Sequence, residues 1–331
     1  MQKTDSKIIA GTAIILMIFL HLLAGDMYPR KSIMIDDSII TSIAQFGKIC
    51  VSLFAFISGY GLWKIYQSQM GKIKLTGIKF IQKTAKIIFI RIKKFLIVYW
   101  PICLLGAIIK VIYEHEFSLI ELLKNAIGKS WSYNYTWWYV RYYIIMLAFI
   151  YPCALIIIRQ LHKIHGWNLR KVFLLALVCL ALLCVPMSEK YSGALCIVVF
   201  CSGIICAEIN VLEYIEKSVI LEIIFFLLGL LVRSLYTNDL GKMTLDLLCV
   251  PFMIPGYLHL VKKIPPLEVI LQSIGKHSTS MWLLHAFLYI YSDRIMNKVA
   301  DGISGFFVVL IISYLLAVIW DLLNRLILER L

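Results

Sequence analysis

Apolar runs of about twenty residues, separated by short polar stretches, recur along the whole chain. About 20 apolar helical residues cross a hydrocarbon core of roughly 30 Å. A helix is the natural spanning element, because it satisfies its own backbone hydrogen bonds. The pattern predicts ten spans, over 8–24, 43–63, 84–109, 137–158, 171–187, 191–209, 219–236, 244–261, 278–297 and 303–324. The alternating pattern of a membrane barrel is absent. The third span is interrupted by Lys86, Arg91, Lys93 and Lys94. One reading starts it only at Phe95 and lays 79–94 on the surface as a basic amphipathic segment. The longest polar connections, 64–83 and 110–136, are too short for a soluble enzyme.

Composition agrees with the pattern. The 331 residues are 61% hydrophobic and 16% charged, against about 45–50% and 25% in an ordinary soluble domain. Mean hydropathy is +0.86. The expected fold is all-α: one polytopic membrane domain, 1–331, built as a helical bundle in the cell membrane. Charge orients it. With the N-terminus inside, the inner segments carry Lys3, Lys7, the run from Lys64 to Lys94, Arg159, Lys163, Arg170, Lys171, Lys217, Lys262, Lys263, Lys276, Arg325 and Arg330. That bias predicts both termini in the cytoplasm. The net charge of +14 then reflects topology and attraction to lipid headgroups. A nucleic-acid partner would need basic residues on a soluble module, and none is apparent. Leu23-Ala24-Gly25 is a poor cleavage site, so the first span reads as a retained helix. The nine cysteines all sit in apolar runs without metal-ligand spacing. They read as small buried hydrophobes, with no metal and no disulfide framework implied.

Function must then reside in polar residues within the bundle. "FLHLLAGD" (Phe19–Asp26) ends the first span with a histidine and, five residues on, an aspartate. Five residues rotate a helix position by about 140°. His21 and Asp26 meet only if Gly25 ends the helix and lets the chain turn back. A neutral imidazole with a carboxylate fixing its tautomer is a general base; an interfacial histidine beside a solvated aspartate is the bland alternative. H-x₄-D is also the motif of glycerolipid acyltransferases, but no basic Gly-rich partner motif follows it here. Lys48 lies near the outer end of the second span, while Ser58, Gly59 and Gly61 cluster toward its inner end. Small residues there let helices, or a ligand, approach closely. "RIKKFLIVYWP" (Arg91–Pro101) carries cations at the inner edge, which anchor lipid headgroups or bind phosphates. "TWWYVRYYIIMLAFIYP" opens the fourth span, with Trp137, Trp138 and Tyr139 as an interface belt and Arg141 expected to face the bundle interior. In "IGKHSTSMWLLH" (Ile274–His285), Trp282 and His285 are three apart and share a helix face. Glu208, Arg233, Asp246 and Asp321 are further charges in or near spans.

The ordered set of these motifs, from the first-helix histidine through "FAFISGYG", "VYWP" and "WWYVRYYIIMLAFIYP" to "IGKHSTSMWLLH", resembles the membrane acyltransferase-3 family, in its Gram-positive form. The resemblance covers nearly the whole chain. It implies a ten-helix bundle that moves an acyl group, usually acetyl from acetyl-CoA, onto hydroxyls of extracytoplasmic glycans. The family's first-helix histidine maps onto His21, and its basic motif onto Arg91, Lys93 and Lys94. The arginine that many members carry about eleven residues earlier is replaced by Ala10, with Lys7 the nearest cation.

On this reading His21 and Asp26 are catalytic. Arg91, Lys93 and Lys94, with Ser58 and Gly59, bind the CoA donor. Trp137, Trp138 and Arg141 bind the acceptor, and Lys48 and His285 are accessory. Acetyl-CoA is a co-substrate; no bound cofactor is expected. A transporter or flippase with His21, Lys48 and Arg141 lining a path, and a non-catalytic scaffold, are the other readings. The expected partners are acetyl-CoA, an extracytoplasmic glycan or other hydroxyl acceptor and the lipid bilayer, with a homo-oligomer compatible with the pattern.

Overall fold

The structure, a computed structural model, describes residues 1–24, 37–70, 77–162, 192–235, 239–291 and 301–328. Every regular element among them is a helix. Among the described residues six helical stretches are long and apolar enough to cross a membrane: Lys3–Leu23, Ile39–Gln69, Gly77–Glu114, Tyr135–Leu161, Leu245–Lys262 and Gly302–Leu326. Of the other four expected spans, 171–187 lies outside the described residues. Those at 191–209 and 219–236 are helical over the described residues Ser192–Glu208 and Val219–Leu235, 17 residues each, at the lower end of the lengths that span a membrane. The span at 278–297 is helical over Ser278–Leu284 and Phe287–Ile290, with a break between.

The basic third segment differs from the surface reading. Helix α4, the fourth in the chain, runs unbroken from Gly77 to Glu114. Arg91, Lys93 and Lys94 are exposed on it. Lys and Arg are good helix formers, so charge interrupts the hydropathy pattern here without interrupting the helix. The connection 110–136 is also more ordered than its polarity suggests. It holds α5 (Leu119–Ala126), opened by an N-cap in which Ser118 Oγ accepts the Glu121 amide at 3.3 Å.

Contacts divide the chain into two compact units that alternate in sequence. The first comprises Met1–Ala13, Lys48–Lys86 and Ile145–Gly275. In it α3 (Ile49–Met70) packs against the helix Ser192–Glu208. A Cβ on Gly59 would collide with the Phe200 carbonyl oxygen, and one on Gly203 with that of Phe56. Packing of this kind, backbone on backbone, is what small residues permit between membrane helices. Polar contacts join other helices of this unit. Asp5 meets Lys262 at 2.7 Å, Glu222 meets His259 at 2.9 Å, and the fully buried Arg233 pairs with the fully buried Asp246.

The second unit comprises Ile14–Gly47, Ile87–Ile144 and Lys276–Leu331. The fourth apolar stretch opens here as a 3₁₀ turn, Tyr135–Trp137, and continues as the helix Trp138–Ile145. Gly128, at φ +71, turns the preceding loop so tightly that a Cβ there would press on the Arg141 backbone at 3.2–3.3 Å. Glu121 ties this loop down, accepting from Ser130 at 3.1 Å, Ser132 at 3.0 Å and Lys124 at 3.2 Å. The Ser132 and Lys124 hydrogen bonds hold its carboxyl below the usual range. Tyr99 of α4 anchors the same segment, donating to the Asn125 carbonyl at 2.7 Å.

The cysteine expectation needs one correction. Cys50, Cys103, Cys196, Cys206 and Cys249 are buried, but Cys153 is exposed and Cys201 partly so. All seven are free. Cys179 and Cys184 lie outside the described residues.

Candidate active site

The site forms in the second unit where two apolar segments stop being regular helix. The helix Ser278–Leu284 ends at His285. A helix end leaves carbonyls without amide partners, and in a hydrocarbon environment these must be met from within the protein. Side chains meet them here. The Leu283 carbonyl accepts from Asn134 Nδ2 and from Trp137 Nε1, each at 3.2 Å. In return Trp282 Nε1 donates to the Thr136 carbonyl at 3.2 Å. Asn134 caps the 3₁₀ turn, its Oδ1 accepting from the Thr136 amide at 2.9 Å and the Thr136 hydroxyl at 2.7 Å. These bonds lock the 3₁₀ turn to the helix break.

His285 belongs to the same break. It is fully buried, and its Nδ1 lies 2.8 Å from the Trp282 carbonyl oxygen and 3.2 Å from that of Met281. A carbonyl oxygen only accepts, so Nδ1 carries the hydrogen. Its Nε2 lies 3.0 Å from Nδ1 of His21, in the last turn of the first helix, Lys3–Leu23. In a neutral His285, Nε2 has a lone pair and no hydrogen. The hydrogen of this contact therefore sits on His21 Nδ1. That leaves the lone pair of His21 on Nε2. The residue as a whole is partly exposed.

Two phenols complete the surroundings. Tyr135 stands edge-on to the His21 ring, with centroids 5.6 Å apart, and Tyr289 lies 6.0 Å from the His285 ring. Their hydroxyls are 2.7 Å apart. His21, His285, Tyr289 and Tyr135 thus make a closed ring of four aromatic side chains, each touching the next.

The other expected site residues fall in several places. Trp137 is fully buried and its indole N–H is used at the helix break. It is a core residue rather than part of an interface belt, because satisfying the Leu283 carbonyl draws it inward. Tyr139 is also buried. Trp138 is partly exposed, and Arg141 is exposed rather than turned inward. Arg141 sits one turn from the start of its helix. Lys48, Ser58 and Gly59 belong to the first unit. Gly59 is accounted for by its contact with Phe200. Asp26 lies outside the described residues; among the described ones, His285 takes the place at His21 Nδ1 that a carboxylate was expected to fill.

A model of the acyltransferase domain family matches residues 9–320. The chain belongs to the membrane acyltransferase-3 family. The match runs from the first helix through the last, so both histidines and both tyrosines of the ring lie within it. Comparison with curated proteins and with solved structures gives no match. The protein is thus a membrane acyltransferase.

Proposed function

We propose that this acyltransferase moves an acetyl group from cytoplasmic acetyl-CoA to a hydroxyl of an extracytoplasmic glycan, with His21 as general base. The observation that carries the reading is the contact of His285 Nδ1 with two carbonyl oxygens, from which it follows that His21 carries its hydrogen on Nδ1 and its lone pair on Nε2. Nε2 takes the proton of the acceptor hydroxyl as its oxygen attacks the thioester carbonyl carbon. The C–S bond then breaks, and the thiolate recovers the proton from Nε2. The products are an O-acetyl ester and CoA, and no net proton is consumed. The proposed topology has ten spans in the cell membrane, with both termini inside. The acceptor would meet Arg141 and Trp138, whose exposure leaves them available.

The test is CoA release from labelled acetyl-CoA by membranes containing the protein, with and without a polysaccharide acceptor. Acceptor-dependent release with label in the polysaccharide supports the reading. Transport of the glycan without thioester turnover would instead favour a flippase.

The donor side carries its own expectation. Acetyl-CoA is anionic, and Arg91, Lys93 and Lys94 are exposed cations on one segment of α4. Replacing Arg91 and Lys93 together by alanine should raise KM for acetyl-CoA about tenfold with kcat nearly unchanged, the mark of lost uniform binding. Arg91→Lys should also be impaired if the guanidinium grips a phosphate with two N–H groups. An unchanged donor KM at normal protein level returns these residues to the lipid headgroups.

A further inference from the structure

Attack on a thioester carbonyl places negative charge on its oxygen, and a preorganised donor at that point is commonly the largest single contribution to catalysis. The four-ring cluster contains such a donor. Tyr135 and Tyr289 have two hydroxyl hydrogens between them, and the 2.7 Å contact uses one. Among the described residues no other hydrogen bond is made by either hydroxyl. Tyr289 is 6% exposed, so a hydrogen of its own without an acceptor would cost about 1–3 kcal/mol. It is spent by donating to the Tyr135 oxygen. Tyr135 is partly exposed, and its hydroxyl hydrogen is left over. It is carried on a turn locked by Asn134, Trp137 and Trp282, in ring contact with the proposed base. Accepting from Tyr289 also polarises the Tyr135 O–H, since chained hydrogen bonds strengthen one another.

We propose that Tyr135 is a catalytic residue, its hydroxyl donating to the thioester oxygen as negative charge develops there, with Tyr289 as the positioning residue that orients and polarises that hydroxyl. The proposal rests on the reading of the protein as a thioester-using acyltransferase with His21 as base. No group is transferred to either tyrosine. The proton of Tyr135 stays on its oxygen throughout, while the proton moved in the reaction travels through His21.

Tyr135→Phe removes one oxygen and keeps the ring. With acetyl-CoA as donor it should lower kcat about 10²–10³-fold, as loss of one oxyanion donor does, with donor KM within about twofold. Tyr289→Phe should lower kcat less, about tenfold or under, because the Tyr135 hydroxyl remains. Binding of two unreactive probes separates this role from a structural one. Trifluoroacetonyl-CoA, whose ketone readily becomes a tetrahedral oxyanion, should bind Tyr135→Phe at least about tenfold more weakly, while binding of a plain S-ethyl thioether of CoA is unchanged. If Tyr135→Phe accumulates poorly, 3,5-difluorotyrosine at position 135 keeps the shape with a more acidic hydroxyl. Activity should then fall at lower alkaline pH than in the parent protein. Unchanged kcat in Tyr135→Phe, equal weakening of both probes, or an unmoved alkaline limb overturns the proposal. If the parent protein turns over acetyl-CoA and His21→Ala does not, such a result removes only the role of Tyr135. If the parent protein releases no CoA in the presence of any acceptor, the acetyl-CoA reading itself falls.

Discussion

Replacing His21 by alanine is expected to leave protein level and membrane insertion unchanged while lowering acetyl transfer about 10²–10⁴-fold, the range of a general base. The stability cost should be small. His21 is partly exposed at the end of its helix, and among the described residues its side chain hydrogen-bonds only to another histidine. The companion variant is His285→Ala. If His285 acts only by holding His21 in the Nδ1–H form, its loss should cost less than that of His21. Adding it to His21→Ala should cost nothing more, since two residues acting as one unit are not additive. His285→Ala also strips a donor from the Trp282 carbonyl, so some loss of thermal stability is expected in that variant alone. Near-normal turnover in His21→Ala would move the base elsewhere. Additive losses in the double variant would give His285 a role of its own.

The two halves of this pair were unequally legible in the sequence. His21 stands out because a histidine within an apolar run is costly and unusual. His285 stands out for the same reason, but nothing assigns it to His21, 264 residues away. Pairing at that range is a tertiary fact, and a single sequence has no periodicity that encodes it. The tyrosines were less visible still. Tyr135 lies beside Trp137 and Trp138, and aromatic residues near a span end are ordinarily read as an interface belt. What changes that reading is the helix break at His285, whose unsatisfied carbonyls draw Asn134 and Trp137 inward. Hydropathy located most helices, because burial of an apolar run dictates helix in a membrane. It missed the breaks, since Leu284, His285, Ala286 and Phe287 look as helical as their neighbours. It also suggested a break where none exists, at Lys86–Lys94, because hydropathy measures charge and not the propensity of Lys and Arg for helix.

The first unit gives the other large expected effect. Arg233, on the helix Val219–Leu235, and Asp246, on the helix Asp239–Lys262, are both completely buried and paired, and Ser52 of α3 donates to the second Asp246 oxygen at 2.6 Å. Three helices therefore meet at one ion pair. Taking two charges out of water is expensive, and their attraction roughly offsets that expense when the geometry is good. Removing one partner is another matter, because the remaining charge stays buried. Asp246→Ala should cost about 3–5 kcal/mol, seen as a large drop in the melting temperature of the detergent-solubilised protein and in its amount in membranes. Arg233→Ala should act similarly. Ser52→Ala removes one hydrogen bond to a charged group and should cost about 1.5–3 kcal/mol. The combined Arg233→Met, Asp246→Leu variant removes both charges at similar volume and should recover most of the lost stability, since apolar replacement of a buried pair is often neutral or better. If it recovers stability and also turnover, the pair serves folding alone. If it recovers stability but leaves acetyl transfer impaired, the charges serve the reaction as well. A fully stable Asp246→Ala would mean that Arg233 finds another partner, and that the three helices are held by packing such as that of Gly59 and Gly203 rather than by charge.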